Sequence, residues 1–187
     1  MISIPSKYKE EQYLIPIKII LVYVFWKIFQ HYASVQGTAL YLFWLNFCST
    51  LGNLYAITTS AILSFFGMAS TADGININLL KSGRQIWVKN HCLAIPASIV
   101  FLGSVIFFKG QWQEKIGFIT LGMLGIILIN LLRLVFTCIA WVYLSERYFE
   151  LNHSFIYVVI TYGFIFAMIA WWINRSQKIV INNHIPN

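Results

Sequence analysis

The segment IGFITLGMLGIILINLLRLVFTCIAWV at residues 116–142 decides the fold of this chain, and Arg133 is its only charged residue. A helix crosses a bilayer with about 20 mostly apolar residues, so the segment is long enough to span. An arginine at the centre of a membrane helix costs about 2.5–3.5 kcal/mol and usually faces the bundle interior or a wet cavity. Asn130 and Thr137 lie at i−3 and i+4 from Arg133, so the three side chains share one helix face. Arg133 is therefore a candidate functional residue.

The rest of the chain is almost as apolar as this segment. Hydrophobic residues make up 59% of the sequence and charged residues 10%, whereas soluble domains carry about 25% charged residues. Four further stretches suit membrane helices, namely 13–32, 39–68, 92–108 and 154–173. The sequence predicts an all-α polytopic membrane protein of about five to six membrane helices, forming one integral membrane domain over residues 1–187.

The net charge of +7 does not indicate a nucleic-acid partner, because the lysines and arginines are scattered at helix ends. In membrane proteins such residues act as topology signals and contact lipid headgroups. We therefore expect the lipid bilayer as a partner, and no nucleic acid. The sequence contains no Cys-x-x-Cys pair, no Cys/His zinc spacing and no Gly-x-Gly-x-x-Gly motif, so we expect no metal and no cofactor.

The second apolar stretch, 39–68, allows two interpretations. No charged residue occurs between Lys27 and Asp73, and Gly52 and Asn53 stand in the middle of the stretch. It forms either one crossing with an interfacial piece or a re-entrant pair of short helices. The sequence leaves both open.

The polar segment 69–91 has the pattern of a strand. Ile75, Ile77 and Leu79 alternate with asparagines and precede a Lys-Ser-Gly turn. Alternation with period two around such a turn is typical of a β-hairpin. We predict a small extracytoplasmic hairpin here that covers the functional site, with Trp87 as an interfacial anchor.

Counting the membrane crossings places three chemically reactive residues on one side of the membrane. Cys92 begins one span, the chain turns at 109–115, and Arg133 lies late in the returning span. The chain turns again at 144–153, and His153 begins the last span. A thiol, a cation and an imidazole are therefore predicted to meet near one face. Such a set suits nucleophilic catalysis, because a cysteine needs a base and its intermediate needs a cation or N–H donors.

Cys92 has neighbours that favour a reactive thiol. It follows Lys89 and is predicted to begin a helix, and both a cation and a helix N-terminus lower a thiol pKa. Cys48 and Cys138 have apolar neighbours and suit the role of small apolar fillers. We expect Cys92, and neither of the others, to react with an alkylating probe at neutral pH.

The stretch from Cys92 to Trp172 resembles the exosortase/archaeosortase family of membrane-embedded cysteine transpeptidases, as one of its small members. The resemblance rests on a Cys that begins a span, an Asn-x-x-Arg motif in the next span and a His that begins the last. Family members often carry Gly or Ser just after the Cys, where this sequence has Leu93 and Ala94.

The resemblance implies an enzyme that recognises a C-terminal sorting signal on an exported protein. This signal has a short motif, a transmembrane helix and a basic cluster. The enzyme cleaves near the motif and passes the protein toward the cell surface. Cys92 would form a thioester, His153 would act as base and then acid, and Arg133 would stabilise the oxyanion or orient the carbonyl. Asn130 would hold Arg133 or the substrate backbone.

The resemblance also implies a multi-pass protein of the cytoplasmic (inner) membrane with its active site on the outer face. The density of basic residues in loop 109–115 slightly favours a cytoplasmic location for that loop. Lys7, Lys9 and Lys18 suggest a cytoplasmic N-terminus. Loop 109–115 and the N-terminus can both be cytoplasmic only if segment 33–68 enters the membrane from the outer side and returns to that side. If this segment crosses once, the N-terminus lies outside.

Two other classes of protein share some of these features. One is a non-enzymatic membrane subunit for transport or assembly, in which Arg133 contacts a partner or ligand. The other is a membrane redox protein that uses Cys92, and it is disfavoured because no second cysteine shares that face nearby in the sequence. Replacing Cys92 by Ser or Ala separates an enzyme from a subunit.

Overall fold

A computed structural model describes residues 6–107, 111–143 and 157–182 of the chain. The five helices of these ranges are α1 (Ser6–Ala33), α2 (Ala39–Phe65), α3 (Ile95–Phe107), α4 (Trp112–Tyr143) and α5 (Tyr157–Asn182). Three short strands lie between α2 and α3, namely β1 (Ser70–Asp73), β2 (Asn76–Leu79) and β3 (Arg84–Trp87). A 3-10 turn, Asn90–Cys92, connects the strands to α3.

Long apolar helices dominate the molecule, as the sequence predicts. Within the described residues, α4 and α5 are long and apolar enough to cross a bilayer. Helix α3 is apolar but has only 13 residues, fewer than the roughly 20 of a full span. The predicted count of five to six membrane helices is thus not confirmed among these residues. Large apolar side chains remain more than half exposed on several helices, among them Phe25, Phe43, Leu128 and Phe166.

Helix α2 is one continuous helix, so the re-entrant pair is the wrong alternative for this stretch. Its N-terminus is capped by Thr38, whose Oγ1 accepts a hydrogen bond from the Tyr41 N–H at 3.1 Å. Gly52 does not interrupt the helix but allows a close approach instead. A Cβ there would lie 3.0 Å from Ile75 Cγ2 and 3.2 Å from the Val88 carbonyl oxygen. Because Gly52 has no side chain, the strand region can pack closely against α2.

The strands form an antiparallel sheet in the order β1-β2-β3. The predicted hairpin is present as β2 and β3, with Leu79 opposite Arg84 across the Lys-Ser-Gly turn. The sequence pattern missed β1, which has no alternating apolar residues. Hydrogen bonds attach β1 to α2 instead: the Ser70 hydroxyl lies 3.1 Å from the Ser60 hydroxyl and donates to the Ser60 carbonyl at 3.2 Å.

The sheet lies along the C-terminal half of α2 and shares its apolar core with Cys92. Ile77, Leu79 and Val88 are buried in one cluster with Cys92 and with residues of α2 and α4. Ile77 and Leu79 alternate with polar residues and therefore share one face of β2. Burial of that face packs the sheet against the helices.

Helix α3 packs between α1, α4 and α5. Phe101 of α3 is fully buried against Gly122 of α4, where an added Cβ would lie 2.0 Å from the ring. At the far end of α3, Lys115 donates a hydrogen bond from Nζ to the Ile106 carbonyl at 3.1 Å. This bond satisfies one of the carbonyls that a helix C-terminus leaves without an intrahelical partner.

Helices α4 and α5 are antiparallel. Phe118, near the start of α4, lies 4.7 Å (ring centroids) from Trp172, near the end of α5. At the other end, the Arg133 side chain of α4 interacts electrostatically with Tyr157, the first residue of α5. The end of the bundle that holds Arg133 is therefore also where α5 begins.

Candidate active site

Cys92 lies in the tight turn just before α3. Its N–H donates to the Lys89 carbonyl at 2.7 Å, and the first residue of α3 is Ile95. The prediction that Cys92 begins a helix is therefore wrong, because a 3-10 turn and a bend separate it from the helix. The bend is at Ala94, whose φ of +53° is in the left-handed region. Glycine adopts this conformation without the steric cost that a Cβ brings.

Asn130 contacts the nucleophile candidate directly. Its Nδ2 donates a hydrogen bond of 2.6 Å to the Cys92 carbonyl, and only 2% of the residue is exposed. We expected Asn130 to hold Arg133 or a substrate backbone. This hydrogen bond to the main chain of Cys92 is a contact that the sequence did not predict, and it joins α4 and the 3-10 turn by a buried polar contact.

Arg133 lies one helical turn after Asn130, the residue that contacts Cys92, and its charge favours the Cys92 thiolate. Burial, with 2% of Cys92 exposed, raises the pKa of this thiol. The Arg133 charge, a backbone hydrogen bond from Lys89 and the Lys89 charge lower this pKa, but they do not outweigh burial. The expectation of a lowered thiol pKa is therefore wrong. Desolvation disfavours the thiolate more than these nearby groups favour it.

The third predicted member, His153, lies outside the described residues. Tyr157 was not singled out from the sequence, although it interacts electrostatically with Arg133. It comes four residues after His153. The structure thus brings Cys92, Asn130 and Arg133 together with the start of α5, and the position of the imidazole stays a prediction.

Burial does not distinguish Cys92 from the other cysteines. Cys48 and Cys138 are also buried, and all three cysteines lie in the same apolar cluster without forming a disulfide. Cys92 differs in its charged surroundings, since Arg133 and Lys89 both act on its sulfur. In the described part of the chain no group of three or more His, Cys, Asp or Glu side chains is arranged to hold a metal ion.

The profile of one protein family, described as transmembrane exosortase (Exosortase_EpsH), matches residues 13–173. The chain belongs to the transmembrane exosortase family. The match extends well upstream of Cys92, so α1 and α2 of this exosortase belong to the family pattern as well as the segment with the motifs. It also shows a membrane protein, because exosortases are membrane cysteine transpeptidases as a family. Comparisons with curated proteins and with solved structures gave no match.

Proposed function

We propose that this exosortase is a membrane cysteine transpeptidase that cleaves the C-terminal sorting signals of exported proteins through a thioester on Cys92. The observation that carries the proposal is the 2.6 Å hydrogen bond from Asn130, one helical turn before Arg133, to the buried Cys92 in a member of this family. A buried thiol beside a cation and a main-chain turn has the elements of covalent acyl transfer. The catalytic residues are Cys92, Arg133 and His153, and the reaction requires no cofactor.

The first half-reaction needs a base, because burial raises the pKa of Cys92. His153 takes the thiol proton while Sγ attacks the carbonyl carbon of the scissile peptide bond. The guanidinium of Arg133 stabilises the negative charge that develops on the carbonyl oxygen. The tetrahedral intermediate then collapses, the C–N bond breaks, and His153 returns the proton to the leaving amine.

The second half-reaction releases the exported protein. An acceptor nucleophile attacks the thioester carbonyl and gives its proton to His153. The C–S bond breaks, and the Cys92 sulfur leaves as a thiolate that recovers the proton from His153. The product is the exported protein joined to the acceptor, or the free acid if the acceptor is water.

The site is proposed to face the outside of the cytoplasmic membrane, together with the β-sheet. With α1 and the continuous helix α2 as one proposed crossing each, Lys7 near the start of α1 lies on the outer face as well. The test introduces single cysteines, S82C in the β2–β3 turn and K7C near the N-terminus, into a chain without its own cysteines. A membrane-impermeant thiol reagent should label both from outside intact cells. Labelling of S82C from the cytoplasm only would exclude this orientation.

The activity is tested with the full chain in lipid vesicles. The substrates are exported proteins from the same genome that end in a short motif, an apolar segment of about 20 residues and a basic cluster. Mass spectrometry should detect cleavage near the motif and a hydroxylamine-sensitive adduct on Cys92. Both C92A and C92S should abolish cleavage, whereas C138A, which removes another buried thiol, should retain it.

The alternative function predicts a different outcome of the same experiment. A non-enzymatic subunit would tolerate C92A and C92S in a cellular assay for protein export. Cleavage by C92A at the wild-type rate would likewise show that the reaction does not pass through a thioester on Cys92.

A further inference from the structure

Pro96 removes the N–H that an α-helix would direct at the carbonyl of Cys92. In a helix, the carbonyl of residue i accepts from the N–H of residue i+4. The residue at that position is Pro96, which has no N–H. The left-handed φ of Ala94 also turns the chain out of helical geometry between the two residues. A buried carbonyl at this place needs a donor from elsewhere in the molecule.

Asn130 is that donor. Its Nδ2 lies 2.6 Å from the Cys92 carbonyl oxygen, and its side chain is almost fully buried. It comes from the middle of α4, three residues before Arg133. The same helix therefore fixes the peptide of Cys92 and carries the cation that acts on its thiol.

Tyr55 of α2 supports Asn130 from the other side. The Tyr55 phenol interacts with the Asn130 side chain, and Tyr55 is 7% exposed. Three elements that are distant in the sequence, α2, the 3-10 turn and α4, thus meet at this buried amide.

We propose that Asn130, one helical turn before Arg133, is a positioning residue that replaces the N–H missing at Pro96 and fixes the Cys92 peptide. The inference rests on the proposed role of Cys92 as nucleophile. Asn130 acts through the Cys92 backbone and contacts neither the scissile bond nor the leaving group. Loss of its donor should let the turn shift and misplace the sulfur.

The first test reports on the hydrogen bond without any activity. The full chain with C48A and C138A is labelled with 1-¹³C-cysteine, so that the isotope-shifted carbonyl band in the infrared spectrum comes from Cys92 alone. N130A should move this band to higher wavenumber, and Y55F should move it less. The matched control is T137V, because Thr137 is equally buried on the same helix and its Oγ1 has no hydrogen-bond partner in the described part of the structure. T137V should leave the band in place.

The second test separates positioning from general destabilisation. N130A should lower kcat by about 10²-fold with little change in KM, as expected for a misplaced reacting group. T137V should change neither constant. If the wild-type chain shows no transpeptidase turnover, the proposed function fails, and the rate of Cys92 alkylation then serves as the second readout. N130A should change that rate, and T137V should not.

Two results would overturn the inference. One is an unchanged carbonyl band in N130A. The other is a shifted band with turnover and alkylation both at wild-type rates, which would leave Asn130 as a purely structural contact.

Discussion

Arg84, at the start of β3, donates a hydrogen bond from Nη1 to the backbone carbonyl of Trp141, near the end of α4. The same guanidinium lies over the Trp141 ring, 4.8 Å from its centroid. Lys81, in the preceding turn, lies over the ring of Tyr143 at 5.7 Å. The β2–β3 hairpin is therefore attached to the C-terminal end of α4, where the chain leaves toward His153.

The Arg84 contact gives a prediction about stability. R84A removes a charged donor and a cation–π contact, and because the contact is exposed we expect a loss of about 1 kcal/mol in the free energy of unfolding. Hydrogen exchange should also become faster in β3. K81A is the matched control, since it removes a neighbouring cation that has only a ring contact, and it should cost about half as much or less. Equal losses in the two variants would contradict a specific role for Arg84.

The reactivity of Cys92 should depend on pH in a defined direction. Burial raises the pKa of this thiol, so its alkylation by a small reagent should increase with pH and level off above the ordinary thiol range. R133A removes the main charge that lowers this pKa, so its profile should move to higher pH and its rate at neutral pH should fall. K89A should act in the same direction with a smaller shift.

These measurements use the C48A/C138A background, so that only Cys92 reacts. R133K tests charge against geometry, because lysine keeps the charge and loses the planar fork. Its labelling profile should stay nearer to wild type, whereas its turnover should fall. Faster labelling of R133A than of wild type at neutral pH would show that Arg133 does not favour the thiolate.

Ala94 is a site where a substitution should stabilise the protein. Its φ of +53° is a conformation that costs an L-residue roughly 1 kcal/mol and that glycine adopts freely. A94G should therefore raise the midpoint of thermal unfolding in detergent. A97G is the control, because Ala97 lies in α3 with its helical backbone, and glycine there should destabilise by about 0.5–1 kcal/mol. A destabilised A94G would show that the turn carries no such strain.

The contact between Gly122 and Phe101 should tolerate no added methyl group. An added Cβ at Gly122 would lie 2.0 Å from the ring, and overpacking of this kind typically costs about 1–3 kcal/mol. Thermal unfolding of G122A should show this loss. G117A is the control on the same helix, because a Cβ there has nothing within 4 Å. The double variant G122A/F101L should recover part of the lost stability. If it recovers none, the clash of G122A is not with the Phe101 ring.

Features that depend on sequence neighbours were predictable from the sequence. The long apolar run around Arg133 predicts a membrane helix, and the alternation through Ile77 and Leu79 predicts the β2–β3 hairpin. Both are present in the structure. Such patterns are local, because a run of apolar residues or a period of two is read along the chain itself.

The site was predictable only in part. The order of Cys92 and Arg133 along antiparallel spans predicts that they share one end of the bundle, and in the structure Asn130, one helical turn before Arg133, contacts Cys92. The partner of Asn130 was not predicted, although Pro96 four residues after Cys92 already indicates a carbonyl without the N–H donor of an α-helix. Which side chain supplies that donor depends on packing between distant segments.

The pKa of Cys92 shows what only the tertiary structure decided. Lys89 is a sequence neighbour and favours a lowered pKa, but α2, the sheet and α4 bury the thiol and raise it. Likewise, Gly52 and Asn53 allow a break in α2, whereas the close approach of Ile75 explains the glycine within one continuous helix. In both cases the deciding interaction joins residues far apart in the chain, because desolvation and close packing depend on what surrounds a group in space.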